Sequence, residues 1–149
     1  MKKLILSLLV AAFVGGNTLS AQTITKNEDG KYSLSVGHVT LTVDAQKGGK
    51  IVSYRYDDKE ILSQTKIPNS FGSTFWTSPQ SEWNWPPVPE YDTKPFNAEV
   101  AGDKLILTGE KSKRFGYRVR KELTTDKKDN AIVITYTVIN ESGETRKVA

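Results

Sequence analysis

From Tyr32 onward, polar and apolar residues alternate nearly one for one, and a period of two is the signature of half-buried strands. Tyr32-Ser33-Leu34-Ser35-Val36 shows it, and Val39-Thr40-Leu41-Thr42-Val43 repeats it after Gly37-His38. Ile51 to Tyr56 follows Gly48-Gly49, and Asp57-Asp58-Lys59 turns the chain into Glu60-Ile61-Leu62. Ala98–Val100, Lys104–Thr108, Tyr117–Leu123 and Ala131–Ile139 each carry the same signal. Turn residues at Ala101-Gly102-Asp103 and Lys127-Lys128-Asp129-Asn130 separate them, at the spacing of roughly 8–12 residues that marks sandwiches and barrels. No segment sustains a helical period, and there is no internal repeat or low-complexity linker. The expected fold class is all-β, a β-sandwich.

One stretch breaks the alternation. Between Phe75 and Asp92 lie all three tryptophans, Trp76, Trp83 and Trp85, and four of the six prolines. Each proline removes a backbone donor and fixes φ, so the stretch is expected to be a loop and neither a helix nor a central strand. Yet it holds the most concentrated aromatic surface of the chain, beside carboxylates and an amide. A sugar site needs both, since a ring's C–H face stacks on an indole while its hydroxyls pair with polar groups at the edge. The candidate carbohydrate-binding residues are Trp76, Glu82, Trp83, Asn84, Trp85, Glu90, Tyr91 and Asp92. If the segment is extended, Trp83 and Trp85 point to one side and Asn84 to the other. The alternative is a plug, a loop that buries its own tryptophans at the end of the sandwich.

The first residues carry an address. Lys2-Lys3 precedes an apolar run from Leu4 to Val14, interrupted only by Ser7, and Leu19-Ser20-Ala21 ends on a small residue. This is the pattern of a secretory signal peptide over residues 1–21, too short for a permanent membrane span. It implies export to the periplasm or beyond, with Gln22 as the mature N-terminus. There is no cysteine among the 149 residues. That removes lipid attachment at a cysteine, disulfides and thiol chemistry together. Without Lys2 and Lys3 the balance is 19 basic against 17 acidic residues, near +2. So weak an excess, with no long basic block, favours neither nucleic acid nor a membrane surface as partner after cleavage. The remaining 128 residues suit one domain.

Other candidates carry less. His38 is the only histidine, which makes a histidine-based metal site or nucleophile implausible, and no cofactor or metal is implied. Glu82, Glu90 and Asp92 could serve as a glycosidase pair, though paired catalytic carboxylates usually come from different elements. With Asn84 they could hold calcium, but the spacing matches no dedicated loop. Arg118 and Arg120 share one face of a strand and could grip an anionic sugar, or form a solvated face. Asn140-Glu141-Ser142 matches a glycosylation acceptor. Beyond that turn, Thr145-Arg146-Lys147-Val148-Ala149 begins a return strand and stops. The expectation is the N-terminal part of a larger sandwich, the alternative a short protein with a frayed last strand.

Gly48-Gly49-Lys50-Ile51-Val52-Ser53, followed by Asp58-Lys59-Glu60-Ile61-Leu62, resembles the opening of galactose-mutarotase-like (aldose 1-epimerase-like) domains. Asn69 to Gln80, continuing through Trp83-Asn84-Trp85-Pro86-Pro87, is similar to a secreted bacterial family with a mutarotase-like domain of unknown function. The resemblance covers roughly Val39 to the end of the chain. It implies a β-supersandwich continuing past Ala149, and sugar recognition. Epimerases of that fold use a mid-domain histidine as acid and a late glutamate as base, and neither has a counterpart here. His38 falls too early. The resemblance therefore leaves two further readings beside a sugar-binding protein. One is an epimerase or other carbohydrate-active enzyme whose acid and base lie beyond Ala149. The other is a structural module that packs against a further domain through its tryptophans.

Overall fold

The computed structural model describes residues 24–64, 71–73 and 75–147. The proposed signal peptide, and Asn69, Ser70 and Thr74 of the family-like motif, lie outside the described residues. Among the described residues nine strands form two antiparallel sheets. β1 (Ile24–Lys26), β2 (Tyr32–Val36), β3 (Val39–Asp44), β4 (Lys50–Tyr56) and β5 (Lys59–Glu60) build the first, in chain order. β6 (Asn97–Ala101), β7 (Lys104–Thr108), β8 (Tyr117–Asp126) and β9 (Ala131–Asn140) build the second, also in chain order. The expected all-β sandwich is what forms, since β2 packs on β8 and β9, and β3 packs on β9.

Alternation supplies the core. Leu34 of β2, Val43 of β3, Leu105 and Leu107 of β7, and Val119 and Leu123 of β8 are fully buried, and polar residues between them face outward. Register follows the pattern: Leu34 faces Leu41 across β2–β3, and Leu105 faces Leu123 across β7–β8. One position departs from it. Lys121 occupies the inward row of β8 between Val119 and Leu123 and is 2% exposed.

β4 carries one residue more than β3 at the step from Thr42 to Val43, which pair with Ser53 and Ile51, so Val52 has no register partner. Such bulges bend the strand and re-aim side chains. Ile61-Leu62, expected as strand, follows a two-residue β5 whose pairing ends at Glu60. β1 carries no alternation long enough to see in sequence, and pairs with β2 over three residues. Residues 145–147, expected to start a return strand, form none. The Asn140 and Ser142 side chains instead hold Glu144 in a turn.

Between the sheets runs the Trp/Pro stretch, and it is not all loop. Gln80–Glu82 is a 3-10 turn, and Pro89–Asp92 is one turn of helix, α1, with Pro89 at its first position. A proline there loses no hydrogen bond, because the first helical N–H groups have no intrahelical acceptor. The rule that excludes proline from a helix interior does not reach its first residue.

Candidate functional site

Trp83 is 5% exposed and its indole N–H donates to the Thr77 carbonyl at 2.8 Å, which closes the Trp/Pro stretch on itself. Arg114, from the segment between β7 and β8, donates to the Trp83 carbonyl at 3.1 Å and to the Glu82 carbonyl. Those carbonyls end the 3-10 turn and have no acceptor role within it, so a guanidinium is the natural cap. The chain then turns sharply: Asn84 sits at φ 55°, a left-handed conformation that asparagine tolerates better than most residues, and its N–H reaches the Gln80 carbonyl at 2.7 Å.

That turn decides where the indoles go. An extended chain would put Trp83 and Trp85 on one side, whereas here Trp83 goes inward and Trp85 is 66% exposed. The exposed partner of Trp85 is Trp76, 46% exposed, with ring centroids 6.0 Å apart and planes at 84°. Trp76 also meets Trp83 edge-on at 5.7 Å. Both geometries are the edge-to-face arrangement that indole quadrupoles favour. One indole thus acts as the plug and backs Trp76, which meets the exposed Trp85 nearly at a right angle. Glu82 and Asn84 are exposed beside them.

The other candidates lie on α1 and point inward. Tyr91 is 1% exposed, with burial raising its hydroxyl to about 12. Glu90 is buried and accepts from Lys94 Nζ at 2.9 Å, and Lys94 also reaches Glu110 at 3.2 Å. Hydrogen bonds donated to Glu90 and Glu110 hold the Lys94 pKa above its ordinary value. Asp92 accepts the Trp76 indole N–H at 3.1 Å and pairs with Lys50 Nζ at 3.2 Å, both on Oδ1. The eight residues therefore divide. Trp76, Glu82, Asn84 and Trp85 lie at the surface, while Trp83, Glu90, Tyr91 and Asp92 lie beneath it.

Three further residues hold α1 or the turn beneath it in place, and sequence reading passed over all of them as site residues. Lys50 neutralises Asp92. Gly48 lets the β3–β4 turn touch the Asp92 backbone, since a Cβ there would stand 2.1 Å from the Asp92 carbonyl oxygen, and its φ of +66° suits glycine. The Gly48 N–H also donates to the Lys94 carbonyl at 2.9 Å. Lys121 donates to the Gly48 and Gly49 carbonyls at 2.8 and 3.0 Å, between the rings of Phe96 and Tyr136. Its burial pushes the amine down to about 8, with Asp92 pulling it up and Lys50 pushing it down. Of these, Lys121 alone leaves a local trace, a lysine in the inward row of β8.

Behind Asp92 opens a pocket of about 390 Å³, within the size range of ligand sites. β4 contributes Lys50 and the bulged Val52, the end of β3 contributes Asp44, and the β3–β4 turn contributes Lys47. Elsewhere His38 stands at the β2–β3 turn, the far end of β3 from Gly48. Its Nδ1 lies 2.6 Å from Asp57, and its ring stacks on Tyr56 at 5.5 Å. Arg118 and Arg120 are half-exposed and pair with Glu141 at 3.2 Å and Glu122 at 3.0 Å, as a solvated strand face would. Among the described residues no group of three or more His, Cys, Asp or Glu could hold a metal ion, and no helix is long and apolar enough to cross a membrane.

No protein-family model matches the chain, and neither does any curated protein. Among solved structures, a 4-alpha-glucanotransferase from Thermococcus litoralis is similar, with a TM-score of 0.47 and 14% identity. The similarity covers 76% of this chain and 23% of that one, so the chain spans about a quarter of that protein's length. A likeness of that extent carries no functional argument.

Proposed function

We propose that this chain is an exported carbohydrate-binding β-sandwich protein of the galactose-mutarotase-like type, which holds a sugar ring against Trp76 and Trp85. The observation that supports it is the pair of exposed indoles, nearly perpendicular to each other, with Trp76 anchored from below. Exposed aromatic surface costs solubility and stays exposed where something binds it. Here it is also pre-organised: Trp76 is tied to Asp92 through its N–H, and Trp83 backs it edge-on. A rigid platform loses little entropy when a ligand arrives. One ring would stack on the face of Trp76 or Trp85, and the other indole would close one side. Glu82 and Asn84 would accept from and donate to hydroxyls at the rim. Trp83, Glu90, Tyr91 and Asp92 act in this reading as the support of the platform. The sequence resemblance and the apolar leader point the same way, to an exported sugar-binding protein.

Exposure of Trp85 equally suits an anchor for another protein domain, the competing reading. Titration of the purified chain with a panel of neutral and acidic sugars, followed by tryptophan fluorescence and calorimetry, separates the two. Saturable quenching that Trp85→Ala removes supports the sugar site. A flat response to every sugar, with Trp85 solvent-quenched throughout, rejects it.

A further inference from the structure

The platform is joined to the pocket through one carboxylate. Asp92 Oδ1 holds the Trp76 indole N–H on one side and Lys50 on the other, and Asp92 itself lines the pocket. An aromatic platform and a cavity of sugar-site size thus meet at one residue, Asp92. Resting on the carbohydrate reading above, we infer that the ligand is a neutral oligosaccharide of at least two rings, one stacked on the indoles and the next seated in this pocket.

The pocket has the chemistry of a sugar subsite. Its walls are mainly apolar, with Val52 and Phe71 beside the aliphatic stems of lysines. A few polar groups converge on it, as in ligand sites generally. The Lys47 ammonium has no ion-pair partner among the described residues and offers donors. Thr93, which follows α1 directly and is exposed, offers a hydroxyl that can donate or accept. Asp44 spends Oδ1 on the Gln46 N–H at 3.0 Å and keeps its second oxygen as an acceptor. Donor, acceptor and hydroxyl side by side answer neighbouring hydroxyls on a ring.

Charge decides against an acidic ligand. Lys31, Lys47 and Lys50 bring three positive charges to the pocket. Asp44 and Asp92 line it too, and Lys31 is paired with Asp29, so three carboxylates balance three ammonium groups. Lys121 lies behind the pocket with its donors on Gly48 and Gly49. With Lys47 the one ammonium of the three left without an ion pair among the described residues, and Asp44 close by to offset it, the pocket carries no net charge to select an anion.

The test is calorimetric titration with glucose, maltose, cellobiose, galactose, galactobiose and digalacturonate, on the wild-type chain and on Lys47→Ala and Thr93→Val. At least one neutral disaccharide should bind about tenfold more tightly than its monosaccharide, a step of one or two well-placed polar contacts. Lys47→Ala and Thr93→Val should remove that gain and leave monosaccharide affinity unchanged. Equal affinity for mono- and disaccharide, or a gain that survives both substitutions, overturns the two-ring inference while leaving a sugar site on the indoles. Preference for digalacturonate over every neutral disaccharide overturns the neutral assignment. If no sugar binds the wild-type chain, the carbohydrate reading itself fails and this inference falls with it.

Discussion

Lys50 Nζ and Trp76 Nε1 meet on one oxygen, Asp92 Oδ1, at 3.2 and 3.1 Å, so a charge in the first sheet, a helical turn and a surface indole are set by a single carboxylate. The Lys50 and Asp92 side chains are 10% and 8% exposed. Two charges so far from water compensate each other's burial.

Breaking that pair should therefore cost more than deleting it. Asp92→Asn retains an acceptor for the indole but leaves the Lys50 charge uncompensated, and should destabilise by roughly 3–5 kcal/mol. Lys50→Met takes the ammonium from a carboxylate that keeps the Trp76 N–H, and should also be destabilising. The double variant should lose clearly less than the sum, because no buried charge is then unpaired. Urea unfolding of the four proteins checks this. Additive losses would mean that the pair is solvated rather than mutually compensated.

Lys121 gives the fold a pH dependence of known sign. Burial lowers its pKa from 10.5 to about 8 in the folded chain. Between those values the unfolded chain binds a proton that the folded chain has released, so stability rises with pH across the window. The gain is on the order of 3 kcal/mol over the full window, at about 1.4 kcal/mol per pKa unit. Tyr91 and Tyr136, both raised by burial, act in the opposite sense above the ordinary tyrosine range. The measurement is thus the difference between wild type and Lys121→Met, by urea unfolding from pH 7 to 10. A difference that stays constant over that range would show that Lys121 keeps its proton in the folded chain.

Two glycines of like backbone but unlike surroundings separate strain from contact. Gly102 has φ +62° and open space around it, whereas Gly48 has φ +66° and the Asp92 carbonyl 2.1 Å from its virtual Cβ. Gly102→Ala should cost about 1–2 kcal/mol, the left-handed penalty alone. Gly48→Ala should cost roughly 3 kcal/mol or more, because the β3–β4 turn must also move off α1. Equal losses in denaturant unfolding would show that the turn yields freely.

The Trp/Pro stretch divides its indoles between stability and surface. Trp83→Ala should destabilise by roughly 3–5 kcal/mol, the usual loss for a large buried aromatic. Trp85→Ala should stay within about 0.5 kcal/mol of wild type, as exposed positions do. Melting temperatures of the two variants suffice, and a reversed order would contradict the assignment of plug and platform.

Much of the sandwich was legible because strand alternation is a local signal: Tyr32–Val36 and Lys104–Thr108 stand where their pattern puts them. Short elements were not, since the three residues of β1 and the single turn of α1 are held by their partners rather than by their own pattern. At the site, composition revealed the indoles but not their directions. Those depend on a left-handed Asn84 and on Arg114, which lies thirty-one residues from the Trp83 carbonyl it binds. Lys50, Gly48 and Lys121 escaped notice for the same reason. Their contacts with α1, or with the turn that holds it, join segments distant in sequence, and a lysine in a strand looks like solvent-facing polarity until its neighbours are known.

The central claim is that Trp76 and Trp85 form a sugar platform on a support that does not depend on them. Calorimetric titration of wild type, Trp76→Ala and Trp85→Ala with neutral mono- and disaccharides tests it most directly, with melting temperatures recorded alongside. The account predicts saturable binding by wild type and a loss of about tenfold or more in Trp85→Ala, since aromatic stacking and its buried area together exceed roughly 1.4 kcal/mol. Trp76→Ala should weaken binding as well, and Trp85→Ala should melt with the wild type. Sugar binding that is indifferent to both substitutions would contradict the account, as would a wild-type chain that binds none of the sugars.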